Sequence, residues 1–481
     1  MPENKTGFKK IKHYMSASLL TTIAGLITFP VLTRLLSKAD YGIFSLIQGG
    51  QLIYEAVLKG GGQFSIVRFY PIEFSEVKSN KTRFFSNLIL IPLLLSTIIT
   101  SVISICVIVY SIFYSDIYIV LLVLISAQST IVLSYLRSYM QASSLSKYDA
   151  LLDILSKYIY LLCVIPIVLF FLTNYWGVYW AIAISSLSVT CLSIYLNKDI
   201  FKYLTLRIDK NLIISSLKYS FPLLLTEISV LSISYADRFI MVSMDIEMSD
   251  IGIYAIGFGL ANVVFMLIWK VLQPAVLPVV NNLHDCVSLS SSVNYLSNVT
   301  NFFILIFSAL SVGVALNCNE FIILLSGEDK SEAGLVFFLA TLLFLIKIIE
   351  IFVFYGLHLL KKTKNIFISE LLVAICNIVF NIILIPYLGI YGAMLASYLS
   401  VLLGILFKLF NLDKKYRIER MFHGYLPVVT LLSVYILVHI YVIEVYVSSP
   451  FLILLLSITI FFIILSPLWK SMNDKFRVIF E

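Results

Sequence analysis

Charge is scarce in this 481-residue chain: Asp, Glu, Lys and Arg together make up 13% of it, while 60% is hydrophobic. That balance excludes a soluble globular protein of this size, whose surface needs more polar side chains to stay in water. Cysteine is sparse and dispersed, with no Cys-x-x-Cys pair, which excludes a disulfide framework and a thiolate metal site. The six cysteines read as small apolar packing residues. His13, His284, His358, His423 and His439 are too far apart for a metal motif. No Walker A, HExxH or GxSxG motif occurs in its required context, so neither nucleotide hydrolysis nor hydrolase chemistry is expected. Long polar linkers are absent as well, which leaves no room for a soluble domain.

What the chain has is one apolar run after another. A bilayer-crossing helix takes about 20 mostly apolar residues. About 14 such stretches are present, at 14–36, 41–67, 84–113, 117–140, 150–172, 177–196, 213–243, 251–280, 298–325, 334–360, 366–386, 389–412, 422–447 and 450–469. The expected fold is therefore an all-α polytopic membrane protein. The N-terminus is polar and basic (Lys5, Lys9, Lys10, Lys12) and leads into a run of full span length, so no cleavable signal is expected. Lys and Arg collect in the terminal segments, the even-numbered loops and the membrane-edge positions beside them, Lys408 among these. The odd-numbered loops hold only Lys38 and Lys330 and are otherwise acidic, as in Asp245-Ile-Glu247. One even-numbered loop, 281–297, carries neither Lys nor Arg. Basic loops stay on the cytoplasmic side, which places both termini there. The net charge of +7 then reads as topology and contact with anionic membrane lipids, with no role for nucleic acid.

The chain also repeats itself. Asp40-Tyr-Gly-Ile-Phe and Asp250-Ile-Gly-Ile-Tyr are 210 residues apart, Gly177-Val-Tyr-Trp-Ala and Gly389-Ile-Tyr-Gly-Ala 212, and Lys59 and Lys270 211. A shared offset argues for a duplicated six-span unit. An even number of spans gives both copies the same orientation, so an axis along the membrane normal should relate them. The expected division is an N-lobe over 1–211, a C-lobe over 212–421 and two accessory spans over 422–481.

Polar side chains inside apolar spans are costly, at about 2.5–3.5 kcal/mol per charge even on a lenient scale, and normally face a cavity or a partner. In the second span Ser45, Gln48, Gln51, Glu55, Lys59 and Gln63 recur at spacings of three or four and share one helical stripe. Such a stripe cannot face lipid. It either lines a hydrated cavity or forms a buried seam in which Glu55 and Lys59 pair at i,i+4; its length favours the cavity. Gly60-Gly61-Gly62 follows, permitting a bend or a close backbone approach. In the tenth span Lys347, Glu350 and His358 share a face, where an i,i+3 ion pair could hide between helices. Arg34 and Arg238 lie toward span ends and could snorkel to headgroups. Asp237 is next to Arg238, but adjacent helical residues point about 100° apart, so the pair is not expected to satisfy itself. Lys270 has no acid within a turn. The many aromatics read mainly as interface belts and packing.

Several motifs resemble the Wzx-type polysaccharide flippases of the MOP (MATE-like) superfamily. Phe29-Pro-Val-Leu-Thr-Arg-Leu-Leu followed by Asp40-Tyr-Gly-Ile-Phe is similar to their first hairpin, and Asp237-Arg238 with Ile251-Gly-Ile-Tyr to the start of their second lobe. Pro274-Ala-Val-Leu-Pro278 closes the eighth span in the family's manner. Asn377-Ile-Val-Phe-Asn381-Ile-Ile-Leu-Ile-Pro386-Tyr-Leu-Gly resembles their most specific signature.

The resemblance implies two six-helix lobes that rock around a central cavity in a bacterial inner membrane. Its implied cargo is an undecaprenyl-pyrophosphate-linked oligosaccharide such as an O-antigen or capsule unit. A polysaccharide polymerase and a chain-length regulator are its implied partners. On that reading Arg34, Lys59, Arg238 and Lys270 form a cationic cavity with Gln48, Gln51 and Glu55, since Arg and Lys bind phosphate oxygens. Glu55, Glu227, Asp237 or Glu350 could bind a coupling H+ or Na+; no other cofactor is expected, and flipping breaks no covalent bond. The alternatives are a MATE-like ion-coupled drug exporter and a membrane glycan polymerase or ligase. The stripe containing Lys59 weighs against the exporter. The small loop at about 326–333 weighs against the polymerase or ligase.

Overall fold

The computed structural model describes residues 2–74, 80–111, 118–143, 145–284, 288–412, 433, 435–439, 449, 451–460 and 463. Among them there is no strand. Thirteen helices follow in chain order: α1 (Pro2–Leu35), α2 (Lys38–Lys59), α3 (Gly62–Glu73), α4 (Lys81–Phe85), α5 (Ile91–Ser111), α6 (Tyr118–Ala142), α7 (Ser146–Phe170), α8 (Tyr175–Leu196), α9 (Lys210–Ser243), α10 (Met248–Asn282), α11 (Leu289–Ser326), α12 (Ala333–Leu359) and α13 (Thr363–Asn411). A π-helical turn, Ser86–Leu90, joins α4 to α5. This is an all-α polytopic membrane protein: among the described residues 9 helices are long and apolar enough to cross a bilayer. Helices α2 and α9 are not among those 9; both are rich in polar side chains, such as Gln48, Gln51 and Glu55 on α2 and Thr226, Glu227 and Asp237 on α9.

The first twelve predicted stretches coincide with helices, with two refinements. The stretch 41–67 is not one helix; it breaks at Gly60 and Gly61, both left-handed, into α2 and α3. The pair 366–386 and 389–412 is joined as α13, with one non-helical residue, Gly389, at the boundary. The stretches 422–447 and 450–469 lie largely outside the described residues; Phe451–Ile460 is helical.

Local chemistry explains the boundaries that matter. Ser37 caps α2, accepting from the Asp40 amide at 3.0 Å, while its hydroxyl donates to the Asp40 carboxylate at 2.6 Å. Asp40 and Asp250 occupy the first turns of α2 and α10, where a negative charge suits the helix dipole. Helix α8 is capped by Asn174, which accepts from the Trp176 amide at 3.1 Å.

The chain packs as two compact units, Met1–Ala236 and Asp237–Glu481, with the division inside α9. In the first, α1 packs on α7, α7 on α8, α8 on α6, and α6 against α2, α3 and α5. In the second, α12 packs against α10, α11 and α13. Helix α5 leaves Leu95, Ile98, Val102 and Ile105 exposed, an apolar face suited to acyl chains and not to water.

Candidate functional site

The polar stripe faces inward, as its spacing predicts. Ser45, Gln51 and Glu55 are buried, while Val57 on the opposite face is exposed. The seam does not close on itself, however. Glu55 accepts a hydrogen bond from the Gln51 amide at 2.9 Å, and Thr130 of α6 also faces its carboxyl. Lys59 instead reaches Glu227 of α9, Nζ to Oε1 at 2.8 Å. The alternative reading, an i,i+4 pair of Glu55 with Lys59, is thus not realised; Lys59 makes its contact between helices. Gln48 is half-buried on the same stripe.

The glycines create this contact. Gly60 ends α2 with φ 55° and ψ 21°, and Gly61 follows at φ 71°. Both bend and close approach are realised: a Cβ on Gly61 would lie 2.8 Å from the Ser220 carbonyl oxygen. A helix ending inside an apolar body leaves carbonyls without partners. Here hydroxyls supply them. Tyr135 of α6 donates to the Lys59 carbonyl at 2.7 Å, and Ser220 of α9 donates to the Gly60 carbonyl at 3.2 Å. Lys59 is the last residue of α2, where the helix dipole favours a cation.

Gln63, the second residue of α3, completes the group. Its amide nitrogen donates to Glu227 Oε2 at 2.9 Å. That fixes the amide orientation and points Oε1 away, where it is buried and accepts no hydrogen bond from any described residue. A buried acceptor left unmet costs about 1–3 kcal/mol. Lys59 and Glu227 are themselves partly open, with 15% and 23% of their side chains exposed.

The other predicted site residues lie elsewhere. Arg34 is exposed in the last turn of α1. It sits beside the start of α2, whereas Lys59 ends that 22-residue helix, about 30 Å further along its axis. Arg238 is buried, so it does not snorkel. It also pairs with Asp237, contrary to expectation: Nη1 lies 3.7 Å from Oδ1, and the Arg238 amide donates to the same carboxylate at 2.8 Å. The long guanidinium arm folds back toward its neighbour and lies 5.8 Å from the centre of the Tyr254 ring, while the Tyr254 hydroxyl donates to Asp237. Lys270 lies on α10 at a position whose side chain is outside the described residues.

Glu350 does not pair with Lys347, whose ammonium lies 5.7 Å from the centre of the Phe344 ring. It accepts from Lys408 of α13 at 2.5 Å, and Glu370 accepts from the same ammonium at 2.7 Å. Lys408, which the loop-charge pattern assigns to the membrane edge, is only 1% exposed. Glu370 is the residue the sequence reading missed. Its signal was present: a lone acid near the start of an apolar run. Nothing in the sequence marked Tyr135 or Ser220 as caps.

Fold and site together define a multi-pass membrane protein with ion pairs inside its apolar helices. Solved transporter structures align over most of its length. The lipid II flippase MurJ, in an inward closed conformation, matches at TM-score 0.71 and 16% identity, over 96% of this chain and 99% of that one. An inward-facing MATE multidrug resistance transporter matches at TM-score 0.62 and 12% identity, over 82% and 94%. A MOP superfamily transporter from Pyrococcus furiosus matches at TM-score 0.57 and 13% identity, over 85% and 96%. At these identities the likeness establishes the fold. No curated protein matches the sequence. The chain belongs to the polysaccharide biosynthesis protein family, whose profile matches residues 8–284.

Proposed function

We propose that this chain is a flippase that carries a polyprenyl-pyrophosphate-linked oligosaccharide, of the undecaprenyl class, from the cytoplasmic to the outer leaflet of a bacterial inner membrane. Both termini are cytoplasmic on this reading, and the repeated halves 1–211 and 212–421 alternate access to the cargo. A polysaccharide polymerase and a chain-length regulator would act on the product. Family membership and a fold shared with a lipid II flippase support the reading. The observation that carries it is Lys59, a partly exposed ammonium at the broken end of α2 inside the first unit. Its chemistry suits a phosphate oxygen, and a helix C-terminus is a favourable place for a cation. The barrier to flipping is the passage of a charged, sugar-bearing head through hydrocarbon, which a polar, cationic path lowers. No bond is made or broken.

The test is deletion of the gene followed by measurement of lipid-linked repeat units on the cytoplasmic face of the membrane. Accumulation there, with loss of surface polysaccharide, is the expected result. Complementation with Lys59→Ala at normal protein level should restore less than about a tenth of surface polysaccharide, the scale set by losing one charge-assisted contact of about 1.5–3 kcal/mol. Full restoration by Lys59→Ala, and by Arg238→Ala and Lys270→Ala, would remove the cationic-path reading. A second reading, ion-coupled export of cationic drugs, draws on the buried Glu55 carboxyl and on the fold shared with MATE transporters. It predicts drug sensitivity of the deletion strain with no change in lipid-linked sugars.

A further inference from the structure

The pairing of Lys59 with Glu227 raises a question of charge balance. If Lys59 engages a phosphate, Glu227 loses its cation. Among the described residues the carboxylate would then face Gln63 and, on the neighbouring turn of α2, the acidic Glu55, which is close enough to interact with it electrostatically. An uncompensated carboxylate in an apolar body is unfavourable. The described groups around Glu227 are Lys59 and Glu55 on α2 and Gln63 on α3, with the Tyr135 and Ser220 hydroxyls engaged at the helix break. No second base is among them.

We propose that Glu227 is a displaceable stand-in for the cargo's phosphate. The anionic headgroup takes Lys59, and a monovalent cation, H+ or Na+, takes the released Glu227 carboxylate, so that headgroup and cation bind together. This rests on the flippase reading for the identity of the anion. Three observations support the exchange. The pair is one-to-one and partly open, so neither charge is locked by other ion partners. The end of α2 retains a favourable field for Lys59 when Glu227 leaves. Gln63 Oε1 is a buried acceptor with no described donor, on the same amide whose nitrogen holds Glu227; reversal of that amide would give an incoming cation a second oxygen. In the exchange Lys59 and Glu227 each keep an oppositely charged partner, whereas a simple opening of the ion pair leaves both without one. By reciprocity, the cation must tighten headgroup binding by the same factor that the headgroup tightens cation binding.

The experiment uses the full chain in lipid nanodiscs, titrated with a short-chain prenyl pyrophosphate and with the matching prenyl alcohol as blank. Two arms separate the cations. In one, the pH falls from about 8 to about 6 without Na+; in the other, Na+ replaces choline at fixed pH. Wild-type affinity should rise at least about fivefold in one arm, the lower edge of ordinary coupling, and that arm identifies the cation. Glu227→Gln should start at the tight affinity and stay flat. The ratio of wild-type to variant constants is read in each arm, which cancels protonation of the probe. Glu227→Ala repeats the test if the glutamine variant is poorly folded by gel filtration. Lys59→Gln should weaken binding under every condition. If the wild type binds and Lys59→Gln weakens it, but both Glu227 variants bind no tighter and the ratio is constant, the exchange is overturned and the flippase reading stands. If the wild type does not bind, or Lys59→Gln binds equally well, both fall.

Discussion

The two units hold buried lysines in opposite ways. In the first, Lys59 faces one carboxylate, Glu227, and both side chains are partly open. In the second, Lys408 is sealed between Glu350 and Glu370, one from α12 and one from its own helix α13. Arg137 repeats the pattern of one cation and two acids within the first unit, with Asp149 at 2.6 Å and Asp153 at 2.8 Å from α7, although its side chain is 26% exposed. A cation with two close acids has no reason to leave them. A cation with one partly exposed acid can trade it for another anion. The difference separates ion pairs that fasten helices from one that can take part in transport, although all are charges inside apolar spans.

The largest expected effect follows from the sealed lysine. Lys408→Met removes the one cation between two largely buried carboxylates, which should cost about 3–5 kcal/mol. Most of the folded protein should be lost from the membrane fraction, and the remainder should melt well below wild type in detergent. Lys59→Gln should cost no more than about 1–2 kcal/mol, because Glu227 keeps the Gln63 amide, and should fail in transport instead. Thermal unfolding and membrane protein level, measured together on both variants, check this. Equal destabilisation would erase the distinction between fastening and exchangeable pairs.

A smaller effect tests the helix break that makes the open pair. Gly60 and Gly61 both have left-handed φ, but their surroundings differ: nothing lies within 4 Å of a Cβ on Gly60, whereas one on Gly61 meets the Ser220 backbone. Gly60→Ala should therefore cost only the conformational term, about 1 kcal/mol. Gly61→Ala adds the push against α9 and should cost about 2–3 kcal/mol. It should also impair transport, since α9 carries Glu227. Melting temperatures of the two single variants, measured side by side, decide the order.

Much of this was legible before any coordinates. Twelve apolar stretches became helices because a backbone in hydrocarbon has few other ways to satisfy its amides and carbonyls, and the inward face of α2 followed from spacing alone. Partners were not legible. Glu227 and Lys59 are 168 residues apart, and Lys408 and Glu350 are 58 apart; only packing brings them together. Spacing within one helix offers Lys59 only Glu55 as a neighbouring acid, whereas its partner, Glu227, lies on another helix. Local reasoning separated Asp237 from Arg238 because it counted Cβ directions and not the reach of a guanidinium. The loop-charge rule sorted Lys408 by its nearness to a span end, which says nothing about which way a side chain turns.

The smallest effect comes from the most open cluster of this kind. Arg83 sits between Asp209 at 2.8 Å and Glu73 at 3.3 Å, again one cation and two acids, but Arg83 is 36% exposed. Asp209 caps α9 by accepting from the Leu212 amide at 3.0 Å. That amide first, and Arg83 second, hold the Asp209 carboxyl below the usual carboxylate range. A folded-state value below the unfolded one of about 3.9 means that the stabilisation is present in full well above that pH and is lost as pH falls through the folded value. Asp209→Asn should therefore lower the melting temperature slightly and by a constant amount from neutral pH down to about 5, and the gap should close below about pH 4. Melting curves of both proteins across that range are the check. A gap that widened on acidification would mean that Asp209 is favoured in its protonated form. The cluster would then not be a weaker, solvent-screened version of the fastening built around Lys408.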